Sequence, residues 1–204
     1  MGNNTFWDER YSEEGYAYGT SPNGFLVEAA KRIPKGRVLC LAEGEGRNAV
    51  YLAEQGYEVT AVDSSAVGMK KAEVLAASRG VSIKTVVADL GDFVIEPDYW
   101  DGIVAIFAHL PAALRAKVHR ASVAGLRHGG AFVLEAYAPR QLEFGTGGPP
   151  VLELLMSLSD LKDDLRGLEF IVARETEREI SEGRFHGGRG AVVQVVGIKP
   201  AGPC

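Results

Sequence analysis

From Arg37 to Tyr137 short apolar runs alternate with helical stretches, and that alternation restricts how a sheet can be built. The runs "RVLCLA" (37–42), "YEVTAVD" (57–63), "SIKTVVAD" (82–89), "WDGIVAIFA" (100–108) and "AFVLEAY" (131–137) read as strands. Between them, "NAVYLAEQG" (48–56), "SAVGMKKAEVLAASRG" (65–80) and "PAALRAKVHRASVAGLRHGG" (111–130) read as helices that stop at glycine. Strands joined through helices return to the same sheet edge by a crossover, so they pair in parallel. After Tyr137 the pattern changes. "APRQLEFGTGGPP" reads as a mobile loop, "VLELLMSLSDLKDDL" (151–165) as one amphipathic helix, and "LEFIVARETEREI" and "AVVQVVGIKP" as two further strands. The link "SEGRFHGGRG" between the last two is too short for a crossover helix, so an antiparallel hairpin is expected. The fold class that follows is α/β, doubly wound, with a mostly parallel seven-stranded sheet that ends in an antiparallel hairpin.

The length of 204 residues suits one domain spanning 1–204. The net charge is −5 and the 22 Lys and Arg are scattered, whereas a nucleic-acid surface needs a basic stripe. No apolar run is long enough for a bilayer, and "MGNNTFWDERYSEEG" lacks a signal-peptide layout. Two cysteines, Cys40 and Cys204, make no disulfide framework, and a cytoplasmic setting is expected. There is no Cys and His cluster at metal-ligand spacing.

The first strand runs into "AEGEGRNA", where Gly44, Gly46 and Ala49 satisfy G-x-G-x-x-G/A, and Asp63 closes the second strand. This pattern serves two cofactors. Glycines permit a tight turn and close backbone approach, and a carboxylate at the second strand's tip accepts hydrogen bonds from ribose hydroxyls of either NAD or S-adenosylmethionine. A plain strand-to-helix turn is the third possibility. The charges of Glu43 and Glu45 would repel a diphosphate but suit a cofactor end carrying an amine and a sulfonium, so the sequence leans toward S-adenosylmethionine. Asp89, at the end of the third strand, points the same way: it can accept from an adenine amino group while Leu90 and Phe93 cover the ring. Its competing role is a helix cap.

These residues resemble the class I S-adenosylmethionine-dependent methyltransferases, a family with a Rossmann-like seven-stranded sheet. The resemblance rests on "VLCLAEGEGRNAVYLAEQGYEVTAVDSS", "VVADL" and "WDGIVAIFAHLP". More narrowly, "FWDERYSEEGYAYGTSPNGFL" and "EISEGRFHGGRGAVVQVVGIKP" look like the small bacterial methyltransferases related to the tellurite-resistance (TehB-like) proteins. The resemblance implies methyl transfer from S-adenosylmethionine, with S-adenosylhomocysteine as product, to a small acceptor such as a thiol, a chalcogen oxyanion or a heterocyclic nitrogen. It implies Arg10, Tyr18, Glu43, Gly44, Gly46, Asn48, Asp63, Ser64, Asp89, Leu90 and Phe107 at the cofactor. It also makes residues 1–34 a helical lid in which Tyr11 and Tyr18 lie over the cofactor, and it places Tyr11 and Tyr137 among the acceptor-binding residues. Two residues depart from the family. Cys40 stands where an acid is usual, with Glu43 a candidate to hold the methionine amino group in its place or to point to solvent. Ala42 stands where a first glycine is usual, an exchange that suits the loop only if residue 42 need not adopt positive φ.

His109, at the exit of the fourth strand, and His186, in the hairpin turn, are the acid/base candidates, and both also stand as acceptor contacts; His186 fits a solvated turn equally well. His119 and His128 are expected on or just after a surface helix, without a role. Trp7 is expected to anchor the first helix, and Arg10 to pair with the methionine carboxylate or to form a surface ion pair. Phe107, Tyr137, Phe144 and Phe185 would line the acceptor side. The expected partner is a small-molecule acceptor, without nucleic acid or membrane, on a monomer or homodimer. Two other functions use the same loop: a module that binds the cofactor without turnover, and an NAD-dependent oxidoreductase, for which the chain shows no separate substrate domain and no hydride-site constellation.

Overall fold

The structure is a computed structural model that describes residues 3–202; Met1, Gly2, Pro203 and Cys204 lie outside them. Seven strands form one sheet: β1 (Arg37–Leu41), β2 (Glu58–Asp63), β3 (Lys84–Val87), β4 (Trp100–Ile106), β5 (Leu126–Tyr137), β6 (Glu169–Glu182) and β7 (His186–Ile198). Their spatial order is β3-β2-β1-β4-β5-β7-β6. The first five pair in parallel, with Leu39 beside both Thr60 and Ile103, while β7 runs antiparallel to β5 and to β6. This is the mostly parallel sheet with a terminal antiparallel hairpin that the residue pattern requires.

The helices are α1 (Asn3–Ser12), α2 (Gly24–Ala29), α3 (Arg47–Glu54), α4 (Ala66–Ser78), α5 (Ala112–Gly125) and α6 (Leu158–Asp164). Helix starts are set by side chains that fill otherwise unpaired amides: Asn23 accepts from Leu26 N–H, Ser65 from Gly68 N–H and Ser157 from Asp160 N–H. Core residues of α2, α3 and α4 pack on one face of the sheet and those of α5 and α6 on the other. No helix among the described residues is long and apolar enough to cross a membrane.

Three expectations need correction. The stretch 151–165 is not one helix: a single 3-10 turn at Leu152–Leu154 precedes α6, which starts only at the Ser157 cap. The helix after Pro111 ends at Gly125 and β5 begins at once, because Leu126 pairs with Trp100. The hairpin strands are longer than their apolar cores, leaving only Gly183, Arg184 and Phe185 between them.

The order reverses at β1, whose neighbours are β2 and β4. The loops after β1 and β4 therefore leave in opposite directions and open a crevice at the carboxyl edge, where sheets of this kind bind ligands.

Candidate active site

The loop after β1 runs through three left-handed residues, Ala42 (φ 50°), Gly44 (φ 63°) and Gly46 (φ 90°). Two are glycine, which takes this conformation freely; Ala42 is not, so the condition set for it by the sequence is not met. The positive φ lets Glu43 turn back, so that its Oε1 accepts from Asn48 N–H (2.9 Å) and Ala49 N–H (2.8 Å) and caps α3. Replacing Ala42 with glycine is expected to raise the thermal midpoint by about 1–4 °C, the relief of left-handed strain less glycine's greater unfolded-state entropy. A lowered midpoint in a calorimetric scan would mean that residue 42 is not strained.

Burial pushes the Glu43 carboxyl up to about 7, against the stabilising amides of Ala49 and Asn48 and the Arg47 charge. Cys40, fully buried beneath it, offers its thiol to the same carboxyl. Glu45 is engaged elsewhere: it accepts from Ala17 N–H (2.7 Å) and pairs with Lys71 (3.0 Å). Its charge is neutralised by that pair, so only Glu43 of the two glutamates keeps the role assigned to their repulsion. Asp63, at the tip of β2, accepts from Gly44 N–H and Ser65 N–H, both at 2.8 Å, and burial raises its pKa. Each of these carboxyl groups keeps lone pairs beyond those bonds. The Lys71 and Arg47 charges nearby are paired with Glu45 and Glu182. Two carboxylates with lone pairs to spare, beside lysine and arginine charges that are already paired, fit a ligand with hydroxyls and an ammonium better than a diphosphate.

Around the same edge, Ser64 is half-buried, Leu90 is buried, and Asp89 is exposed with its carboxylate on Gly91 N–H (2.7 Å). Asn48 accepts from Asn23 N–H (2.9 Å), which fastens the segment before α2 to α3. Tyr11 is buried over the loop: a methyl group on Gly44 would stand 2.6 Å from its hydroxyl, and one on Gly68 2.9 Å from its ring. Trp7 stacks on Tyr11 (5.6 Å) and thereby ties α1 to this contact. Arg10 forms no surface ion pair among the described residues. Its guanidinium donates to the Tyr18 hydroxyl (3.0 Å) and sits 4.2 Å from the Phe185 ring centre.

On the β4 side, Phe107 is the other strained residue of the edge (φ 53°), held by its N–H to Glu135 O (2.7 Å). Its ring lies 4.7 Å from Tyr137 and 4.6 Å from His186, and His186 lies 4.6 Å from Tyr18. His186 is buried, not solvated. His109 has both nitrogens occupied: Nδ1 with Leu154 O (2.8 Å) and Nε2 with Tyr137 N–H (3.4 Å). Burial lowers the pKa of His109 to about 4; burial, followed by the Arg47 charge, lowers that of His186 to about 3. Both imidazoles are therefore neutral at neutral pH.

The glycine-rich loop is pegged. Gln141 donates to Thr146 Oγ1 and Gly147 O and accepts from Ala191 N–H, and Thr146 donates to Arg189 O. Phe144 is half-buried within it. His119 is not on a surface face: it is 2% exposed and bonds Asp164, which Arg115 also holds.

Sequence reasoning missed a buried polar network behind this edge. Glu135, wholly buried on β5, accepts from Asn23 (2.8 Å), Gln194 (2.5 Å) and Arg178; Glu182 accepts from Arg47 (2.6 Å), Arg178 (2.7 Å) and Asn23 (3.0 Å). The signal was available as a polar residue inside each of two strands otherwise rich in apolar side chains, Glu135 in "AFVLEAY" and Gln194 in "AVVQVVG".

Residues 38–130 match the family model of a methyltransferase domain. No curated protein sequence matches the chain. Solved structures share the fold at low identity. One, described in connection with the conversion of a disulfide bond into a thioacetal group during echinomycin biosynthesis, is 19% identical and superposes with a TM-score of 0.78, covering 98% of this chain and 91% of that one. TehB from Haemophilus influenzae is 20% identical with a TM-score of 0.71, covering 96% of this chain and 66% of that one. A S-adenosylmethionine-dependent methyltransferase from Methanosarcina mazei is 16% identical with a TM-score of 0.70, covering 89% of this chain and all of that one.

Proposed function

We propose that this chain is an S-adenosylmethionine-dependent methyltransferase, a reading that its matched segment and its class I fold support, and that it serves a small heteroatom acceptor that reacts without a strong protein base. The observation that carries this is the state of the two histidines. His109 has no free nitrogen, and His186 is too weakly basic to remove a proton from an ordinary thiol before the methyl group moves. The cofactor supplies an electrophilic methyl group on a sulfonium; the protein's part is to place the acceptor in line with it and to keep water out.

In this reading Asp63 holds the ribose hydroxyls and Ser64, Asp89 and Leu90 border the adenine. Gly44 and Gly46 shape the loop that the cofactor lies on. Glu43 takes the ammonium in place of the acid missing at Cys40, while its other oxygen keeps α3 capped. Arg10, fixed by Tyr18, meets the carboxylate, and Tyr11 closes over the ligand as part of a lid formed by the N-terminal segment. Asn48 contributes by fastening that segment. Phe107 forms the floor beneath the reacting atoms. His109 is a positioning residue, since it fixes the Tyr137 backbone and the Leu154 turn. His186 and Tyr137 face the acceptor.

Glu43 makes a pH-dependent test. A carboxyl with a raised pKa must lose its proton to hold an ammonium, so affinity is full above about 7 and falls as pH drops through it. Calorimetric titration with S-adenosylhomocysteine from pH 8.5 to 5.5 is expected to show a loss approaching about tenfold per pH unit on the acid side. Glu43→Gln is expected to bind weakly throughout and to lose that slope; an unchanged slope in the variant would assign the ammonium to another group.

A further inference from the structure

Among the described residues, three buried side-chain polar atoms have no hydrogen-bond partner, and two of them lie in one aromatic cluster: the Tyr137 hydroxyl and His186 Nδ1. Tyr137 is wholly buried and His186 is 8% exposed. Buried polar atoms are rarely left unpaired, because each keeps the cost of losing water without a replacement bond. The two rings stand edge to face at 5.4 Å, and Phe107 packs against both. Tyr18 and Phe185 continue the aromatic wall. The ionic groups behind it are spent on each other, Glu135 and Glu182 with Arg47 and Arg178. Arg10, bonded to the Tyr18 hydroxyl and 4.2 Å from the Phe185 ring, belongs to the cofactor carboxylate in the function proposed above.

On that function, we propose that the acceptor is a flat, uncharged nitrogen heterocycle whose ring N–H donates to His186 Nδ1 and which accepts, at a second ring or exocyclic atom, from the Tyr137 hydroxyl. Each part follows from that cluster. Aromatic edges and faces suit a planar ring. Two neutral polar atoms, a hydroxyl free to donate and an imidazole nitrogen that accepts when the ring proton sits on Nε2, are met by a ligand that offers an acceptor and a donor. A chalcogen oxyanion would need a free cation; Arg47 and Arg178 are paired with carboxylates, and Arg10 is taken by the cofactor carboxylate in the function proposed above. In the reaction, the lone pair of a ring nitrogen forms the new bond to the methyl carbon while the carbon–sulfur bond breaks and its electrons stay on sulfur. The ring, now cationic, gives up its N–H proton to His186 Nδ1 and leaves as the neutral N-methyl heterocycle; His186 returns that proton to water. Methylation makes the N–H far more acidic, which is why a weak base is enough.

The test is binding to the protein loaded with S-adenosylhomocysteine, followed by turnover. Benzotriazole, adenine and 2-mercaptoimidazole are titrated by calorimetry, beside sodium selenite and 2-mercaptoethanol, and methylated product is read by mass spectrometry. At least one heterocycle is expected to bind and to be methylated at nitrogen, with Tyr137→Phe weakening it about tenfold while S-adenosylhomocysteine affinity stays unchanged. Binding of none of the three heterocycles, or methylation of selenite or mercaptoethanol in preference to them, overturns the acceptor class and leaves the methyltransferase standing. Binding unaffected by Tyr137→Phe and by His186→Ala also overturns it. Failure of the wild type to bind S-adenosylhomocysteine is the separate result that would undo the function on which the acceptor class rests.

Discussion

Asp63→Ala is expected to bind S-adenosylhomocysteine at least about 100-fold more weakly than the wild type, the equivalent of two charge-assisted hydrogen bonds. The Asp63 carboxylate does two things from one position. Inward, it accepts Gly44 N–H and Ser65 N–H and so connects the turn after β1 to the cap of α4. Its remaining lone pairs are the ones the proposed function gives to the ribose. Removing it releases the Gly44 amide, so the loop itself is less well formed, and on the proposed function it also loses the ribose hydroxyls. Asp63→Asn keeps one carbonyl oxygen and is expected to fall between the two, since it can hold one amide or one hydroxyl but carries no charge. Calorimetry with S-adenosylhomocysteine on all three proteins, with circular dichroism to confirm folding, decides it; an Asp63→Ala protein with wild-type affinity would remove the ribose from this strand tip.

The second large effect concerns stability. Glu135→Ala is expected to cost about 3–5 kcal/mol, as for other buried ion pairs broken on one side, and to lower the thermal midpoint by roughly 6–20 °C in a domain of this size. Glu135 is wholly buried and is the common acceptor for Asn23, Gln194 and Arg178. Without it the Arg178 guanidinium keeps Glu182 as its one carboxylate partner, Asn23 keeps only Glu182, and the Gln194 amide is left unpaired away from water. The double variant Glu135→Met/Arg178→Met is expected to recover most of the loss, because it removes both charges and fills the space with apolar atoms. A single variant as stable as the wild type would mean that water reaches this network.

The sheet was legible because its signals are local. Apolar runs, glycine stops and a link too short to cross over are properties of neighbouring residues, and they specify a parallel sheet with a closing hairpin without knowledge of long-range contacts. Gly44, Gly46 and Asp63 were legible for the same reason, since strand–turn–helix–strand brings them together within one unit. What was not legible depends on which distant side chain meets which. "VLELLMSLSDLKDDL" carries a helical pattern, yet Leu154 O is taken by His109 and Ser157 restarts the helix, so a tertiary bond and a cap divide it. His119 looks like a surface residue by its charged neighbours, but Asp164, 45 positions on, buries it. The positive φ of Ala42 contradicts the intrinsic preference of alanine and is enforced by the return of Glu43 to the start of α3. His186 was read as a turn residue because its strand begins before its apolar core does.

The place of β7 between β5 and β6 bears on how the chain is made. β6 leaves the ribosome first, but it has no strand to join, because its only neighbour in the sheet is β7. Until residues 186–198 emerge, the Ala131–Tyr137 edge of β5 is open and β6 is unplaced. Insertion of β7 then completes both pairings in one step and brings Glu182 and His186 to the crevice with it. During synthesis the half-made sheet is an unprotected edge rich in apolar side chains, the kind of surface that pairs with other chains. The protein is therefore most exposed to aggregation in the interval between translation of its two final strands.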